Sequence, residues 1–84
     1  MATILYFASL KEKLSLSREV VTLPAEIATA RQLLDWLSKR GDQWSNAFME
    51  EKNLRVAVNQ RMSTLDAQIN DNDEVAFFPP VTGG

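Results

Sequence analysis

The segment from Thr29 to Gly41 constrains this chain most, because it reads as a complete helix with a start, a buried face and a stop. Thr29 and Gln32 stand three apart as a capping box, in which each side chain satisfies a backbone N–H that the first helical turn leaves unpaired. Behind them Ala30, Leu33, Leu34 and Leu37 fall at i, i+3, i+4 and i+7, an apolar stripe with Trp36 at its edge. Lys39 and Arg40 suit the negative end of the helix, and Gly41 is the expected C-terminal stop. One stripe cannot bury itself. It needs a second layer, and the rest of the sequence offers strands.

Ile4–Ala8 is rich in strand formers, and Glu19–Leu23 is a second strand closed by Pro24, which cannot donate to a ladder. Between them Ser9–Leu14 is predicted as a short helix capped by Ser9, with Leu10 and Leu14 one turn apart. Residues 43–48 suggest a short helical turn in which Trp44 and Phe48 dock together. Leu54, Val56 and Val58 alternate on one face of a strand, and Asn59-Gln60 turns the chain into a short strand around Arg61–Ser63. Asn70–Asp73 is a dense turn signal before the last strand, Glu74–Phe78, which Pro79-Pro80 ends. Strands and helices do not alternate regularly, so the expectation is an α+β domain, one main helix packed on a mixed sheet of about five strands. With 84 residues, the chain is expected to form one domain, globular over 1–78 and extended over 79–84.

Several chemistries are excluded by composition. Without Cys or His the chain has no thiol nucleophile, no cysteine zinc site and none of the commonest acid–base side chain. Nine basic against eleven acidic residues leave no cationic footprint for nucleic acid or an anionic membrane. The N-terminus lacks the basic and long apolar stretches of a secretory signal, so a cytoplasmic location is expected. Asp71-x-Asp73-Glu74 fails the EF-hand pattern, since counting from Asp66 or Asp71 puts no Gly at position six, and it reads as a solvated turn. Lys11, Lys13 and Arg18 read as a solvated face, and Trp36, Trp44 and Phe48 as core or core edge.

Two features point beyond folding. If Val75 and Phe77 pack inward, alternation turns Ala76 and Phe78 to the other face of the sheet. That face is either an apolar docking patch or a surface covered by another segment. The second feature is the end of the chain, where two of its three glycines, Gly83 and Gly84, follow Pro79-Pro80-Val81-Thr82. A run of six residues extends to roughly 20 Å, and a Gly-Gly end has no Cβ to collide with a narrow channel or to crowd attack at the terminal carbonyl.

The stretch Asp73-Glu74-Val75-Ala76-Phe77-Phe78-Pro79-Pro80-Val81-Thr82-Gly83-Gly84 resembles the C-terminal signature of the MoaD-type small subunits of molybdopterin synthase. The likeness runs upstream through Ala57-Val58-Asn59-Gln60 and Phe7–Glu12, although Lys11 stands where the family often has Arg. The resemblance implies a β-grasp, ubiquitin-like fold and a sulfur carrier with no catalytic machinery of its own. In such a carrier an E1-like enzyme consumes ATP to adenylate the C-terminal carboxylate, here that of Gly84. Sulfur from a sulfurtransferase then displaces AMP, and the resulting thiocarboxylate donates sulfur to cyclic pyranopterin monophosphate in the active site of a large subunit. The resemblance makes Gly84 the covalent site, Gly83 its steric partner, and Pro79, Pro80, Val81 and Thr82 the inserted tail. It places Phe78, Met62 and Lys11 at the partner interface, binds no cofactor or metal to this chain, and implies a heterotetramer of two small and two large subunits. A carrier for another pathway such as thiamine synthesis, a protein modifier and a non-covalent interaction module share the fold and remain the competing readings.

Overall fold

Residues 1–51 and 53–80 are described by a computed structural model. The elements are β1 (Ala2–Tyr6), α1 (Ala8–Leu14), β2 (Arg18–Val21), α2 (Ala30–Ser38), α3 (Asp42–Glu50), β3 (Arg55–Val58), β4 (Arg61–Ser63) and β5 (Glu74–Phe78). The strands order as β2-β1-β5-β3-β4. β1 and β5 run parallel, with Ile4 opposite Val75 and Tyr6 opposite Phe77, and the other pairings are antiparallel. A parallel neighbour needs a long crossover, and the connection from β1 to β5 carries the helices.

Alternation decides which side of the sheet the helices cover. Ile4, Tyr6, Val56, Val75 and Phe77 point to one face and meet Leu10 and Leu14 of α1, Leu33 and Leu37 of α2, and Phe48 of α3. Tyr6 and Phe77 are fully buried, and burying a side chain of that size contributes roughly 1.5–3 kcal/mol. Aromatic rings continue the contact from strand to helix: Tyr6 meets Trp44 at 5.7 Å between centroids, Trp44 meets Phe48 at 6.3 Å, and Phe48 meets Phe77 edge-on at 6.1 Å.

The capping box forms as the sequence predicts, with the Gln32 N–H donating to Thr29 Oγ1 and Gln32 Oε1 accepting from the Thr29 N–H. Elsewhere local signals were redirected by packing. The sheet is covered by more than one main helix, because residues 42–50 form a helix as long as α2 instead of a short turn. Gly41 is not the stop of α2, which closes at Ser38 with Lys39 as its cap. It is the N-cap of α3, at φ +154° and ψ 176°, and its carbonyl accepts from the N–H groups of Trp44 and Ser45. That backbone conformation is open almost only to glycine, so Gly41 joins two helices. Ser9 does not cap α1, whose N-cap is Phe7, and its hydroxyl donates to Glu51 instead.

Arg40, expected to answer a helix end, has a larger part. Its guanidinium donates to Glu19 Oε2 at 2.8 Å and lies over the rings of Trp44 (4.6 Å) and Trp36 (5.4 Å). The same Glu19 oxygen accepts from the Tyr6 hydroxyl at 2.7 Å. Burial, then the bond and charge of Glu19, push the Tyr6 hydroxyl far above the ordinary tyrosine range, so it stays protonated. Strand β2 is thereby tied to α2 and α3 through one carboxylate.

Candidate functional site

The face of the sheet away from the helices is the candidate site. Register and alternation place Arg18, Leu5, Ala76, Ala57 and Met62 in one row across it, and Phe78 opposite Arg55 in the next. Phe7 follows Tyr6 in extended backbone, and its N–H donates to the Phe77 carbonyl. Continued alternation therefore puts Phe7 on this open face beside Phe78.

The relief of the face follows from side-chain size. Ala76 and Ala57 make a low floor on the two central strands, and Ala76 is buried by its neighbours although it faces away from the core. Phe7 (47% exposed) and Met62 (64%) stand up at its margins, and Val20 (47%) lies further out on β2. Such a set of exposed large apolar side chains on one face, with no helix over it among the described residues, has the character of a binding surface.

The sequence-predicted residues are partly brought together. Phe78 lies on the open face as expected, but it is half-buried among its neighbours rather than fully exposed. Met62 is on the same face, and Lys11 is exposed on α1 with no ion pair among the described residues. Pro79 and Pro80 leave β5 at the Phe78 end, and Pro80 borders an open groove of about 590 Å³ that Leu54, Arg55 and Leu65 also line. Val81, Thr82, Gly83 and Gly84 lie outside the described residues. The sequence reading missed Phe7, Leu5 and Ala57 as members of the face. Period-two alternation in β1 and β3 could have found them, but Phe7 was placed inside a strand that in fact ends at Tyr6.

The acidic turn before β5 uses its carboxylates for folding. Asp73 accepts from Asn59 Nδ2 at 3.0 Å and from the Asn70 N–H at 2.8 Å, while Asn59 Oδ1 accepts from the Glu74 N–H. Asp71 accepts from the Leu23 N–H, which chiefly holds its carboxyl below the usual range. Among the described residues, no group of His, Cys, Asp and Glu is arranged to hold a metal.

The sequence profile of the ThiS family matches residues 4–84, nearly the full chain. The chain belongs to the ThiS family. Relatives named molybdopterin synthase sulfur carrier subunit, from Haemophilus influenzae and Escherichia coli, are 38% and 37% identical to it, each over 84 residues that span both chains completely. Among solved structures, the small modifier SAMP1 of Haloferax volcanii superposes with a TM-score of 0.76 at 24% identity, covering 99% of this chain and 98% of that one. A chain of the Helicobacter pylori complex of subunits 1 and 2 of molybdopterin-converting factor is a further match, with a TM-score of 0.63 at 19% identity, covering 99% of this chain and 97% of that one. These two likenesses establish the fold: this ThiS-family chain has the ubiquitin-like β-grasp arrangement.

Proposed function

We propose that the chain is the sulfur carrier subunit of a molybdopterin synthase, docking on a large subunit through the open face of its sheet. The observation that carries this reading is identity near 38% over the full length of relatives bearing that name. The apolar face around Phe78 and Met62, at the root of a tail that ends in Gly83-Gly84, supports it.

The chemistry fits a chain without a catalytic set. A carboxylate is a poor electrophile, so an E1-like enzyme first joins the Gly84 carboxylate to the α-phosphorus of ATP, releasing pyrophosphate. Sulfur supplied by a sulfurtransferase as a persulfide then displaces AMP, a thiol cleaves the S–S bond of the acyl disulfide so formed, and the thiocarboxylate that is left has an anionic sulfur nucleophilic at neutral pH. Pro79 to Thr82 carry it into the large subunit, where Gly83 and Gly84 present no side chain to the channel wall. Phe78 and Met62 hold the domain at the entrance, and Lys11 faces an acidic part of the partner. Docking extended residues into a preformed channel costs ordering entropy, which the apolar face offsets.

The test is the intact mass of the protein after incubation with ATP, a sulfur donor and the E1-like enzyme. A gain equal to replacing one oxygen by sulfur, mapped to the peptide ending at Gly84, is the expected result. An unchanged mass, with the enzyme active on a known carrier, refutes the proposal. Gly84→Ala should fold normally and fail to accept sulfur.

A further inference from the structure

Charge is segregated between the two faces of the sheet. Only two strand residues are acidic, Glu19 and Glu74, and Glu19 is turned to the helices, where it binds Tyr6 and Arg40. The open face thus carries one carboxylate, Glu74, against two guanidinium groups, Arg18 and Arg55, in a chain whose net charge is −2. Glu74 sits opposite Thr3, at the end of β5 remote from the tail, whereas Arg55 is opposite Phe78 at the tail's root and Arg18 is opposite Leu5.

The two arginines are also uncommitted. Arg31, Arg40 and Lys13 form ion pairs within the domain, while Arg18 and Arg55 are exposed and make none among the described residues. They stand on β2 and β3, strands three spacings or about 14 Å apart, with Leu5, Ala76 and Phe78 on the two strands between. An apolar centre between two fixed cations is a pattern that can choose both partner and orientation.

We infer that Arg18 and Arg55 form a cationic rim that steers the large synthase subunit onto the open face and requires carboxylates on that subunit flanking its apolar contact. The inference rests on the docking reading above and adds the partner's charge pattern to it. Exposed pairs of this kind contribute little to final affinity, but they raise the association rate and reject partners of the wrong sign. Arg55, beside Phe78 and Pro80, orients the end of the domain from which the tail departs. Arg18 fixes the opposite side, so the domain cannot dock turned about the sheet normal.

The experiment measures association and dissociation rates with the large subunit from the same organism, for the full-length chain at low and high salt. Arg18→Glu/Arg55→Glu is expected to slow association about tenfold at ~50 mM salt, with the difference shrinking several-fold near ~0.5 M as screening removes it. Arg18→Gln/Arg55→Gln should show a smaller loss of about threefold in the same direction, and it carries the test if the reversal does not fold. Lys39→Glu, at the C-cap of α2, makes the same kind of charge change on the helical side and should leave the rate within about twofold of wild type. A rim reversal no worse than Lys39→Glu overturns the inference while leaving docking intact, provided Phe78→Asp still abolishes binding. Wild-type binding by Phe78→Asp overturns the docking reading, and the rim with it.

Discussion

Arg40→Met removes the guanidinium while keeping an apolar stem against the two tryptophans, and its cost can be worked from the contacts. Stacking on Trp44 and Trp36, at 4.6 and 5.4 Å, is worth about 0.5–1 kcal/mol each at partly exposed sites. The bond to Glu19 at 2.8 Å is charge-assisted, but the Arg40 and Glu19 side chains keep 28% and 18% exposure, which places its loss near the lower end of about 1.5–3 kcal/mol. The Met stem keeps part of the contact with the two rings, so the total expected is about 2–3 kcal/mol. A domain of this size holds on the order of 4–13 kcal/mol and loses roughly 4–8 °C of melting temperature per kcal/mol. Thermal unfolding followed by far-UV circular dichroism should therefore show a fall of about 10–20 °C. A double-mutant cycle with Glu19→Gln isolates the ion pair, and its coupling should be about 1 kcal/mol. A loss below about 0.5 kcal/mol, with no coupling, would refute the view that Arg40 ties β2 to the helices. Below the melting range the variant should still bind the large subunit, because the open face is untouched.

Other expectations follow from single residues. Phe77→Ala should cost about 3–5 kcal/mol and Phe78→Ala no more than about 1.5, since one ring is in the core and the other half-covered on the open face. Equal losses in urea unfolding would show the face assignment to be wrong. Stability should fall as pH rises above about 10, because the unfolded tyrosine loses its proton there while folded Tyr6 keeps it, giving a slope near −1.4 kcal/mol per pH unit from this group. Tyr6→Phe should make that decline shallower, and an unchanged alkaline profile would contradict the buried Tyr6–Glu19 bond. Gly41→Ala should cost about 1–3 kcal/mol despite open space around the position, because the strain is in its backbone at φ +154°. A neutral result by calorimetry would mean the joint between α2 and α3 relaxes.

Where a local rule was complete, the sequence was sufficient. The Thr29–Gln32 capping box, the Leu33/Leu37 stripe, the Asn59-Gln60 turn and the inward Val75 and Phe77 depend on neighbours within a few residues, and all are present in the fold. Asn59 and Gln60 both take positive φ, as a tight hairpin turn demands. The boundaries that moved did so where a distant partner competed. Ser9 found Glu51 across 42 residues, and Arg40 left the helix end for Glu19 on another element. Residues 42–50 gained a full helix because Trp44 and Phe48 reach Tyr6 and Phe77, contacts that no window of local sequence contains.

For the candidate site the division is similar. The tail composition, the lack of any Cys or His for catalysis, and the parity that turns Phe78 away from the core are all legible from the order of residues alone. Parity says only that a side chain has left one face. Whether the other face is bare, and what lies beside Phe78 on it, depends on strand order and register. Those are set when β5 inserts between β1 and β3 and the helices gather on the opposite side. Only then do Leu5, Ala57, Met62 and Phe7, drawn from three different strands and a helix cap, become neighbours, with Arg18 and Arg55 at their margins. Local preference acts over a turn of chain, whereas a surface is made by residues that burial of the core brings together from far apart.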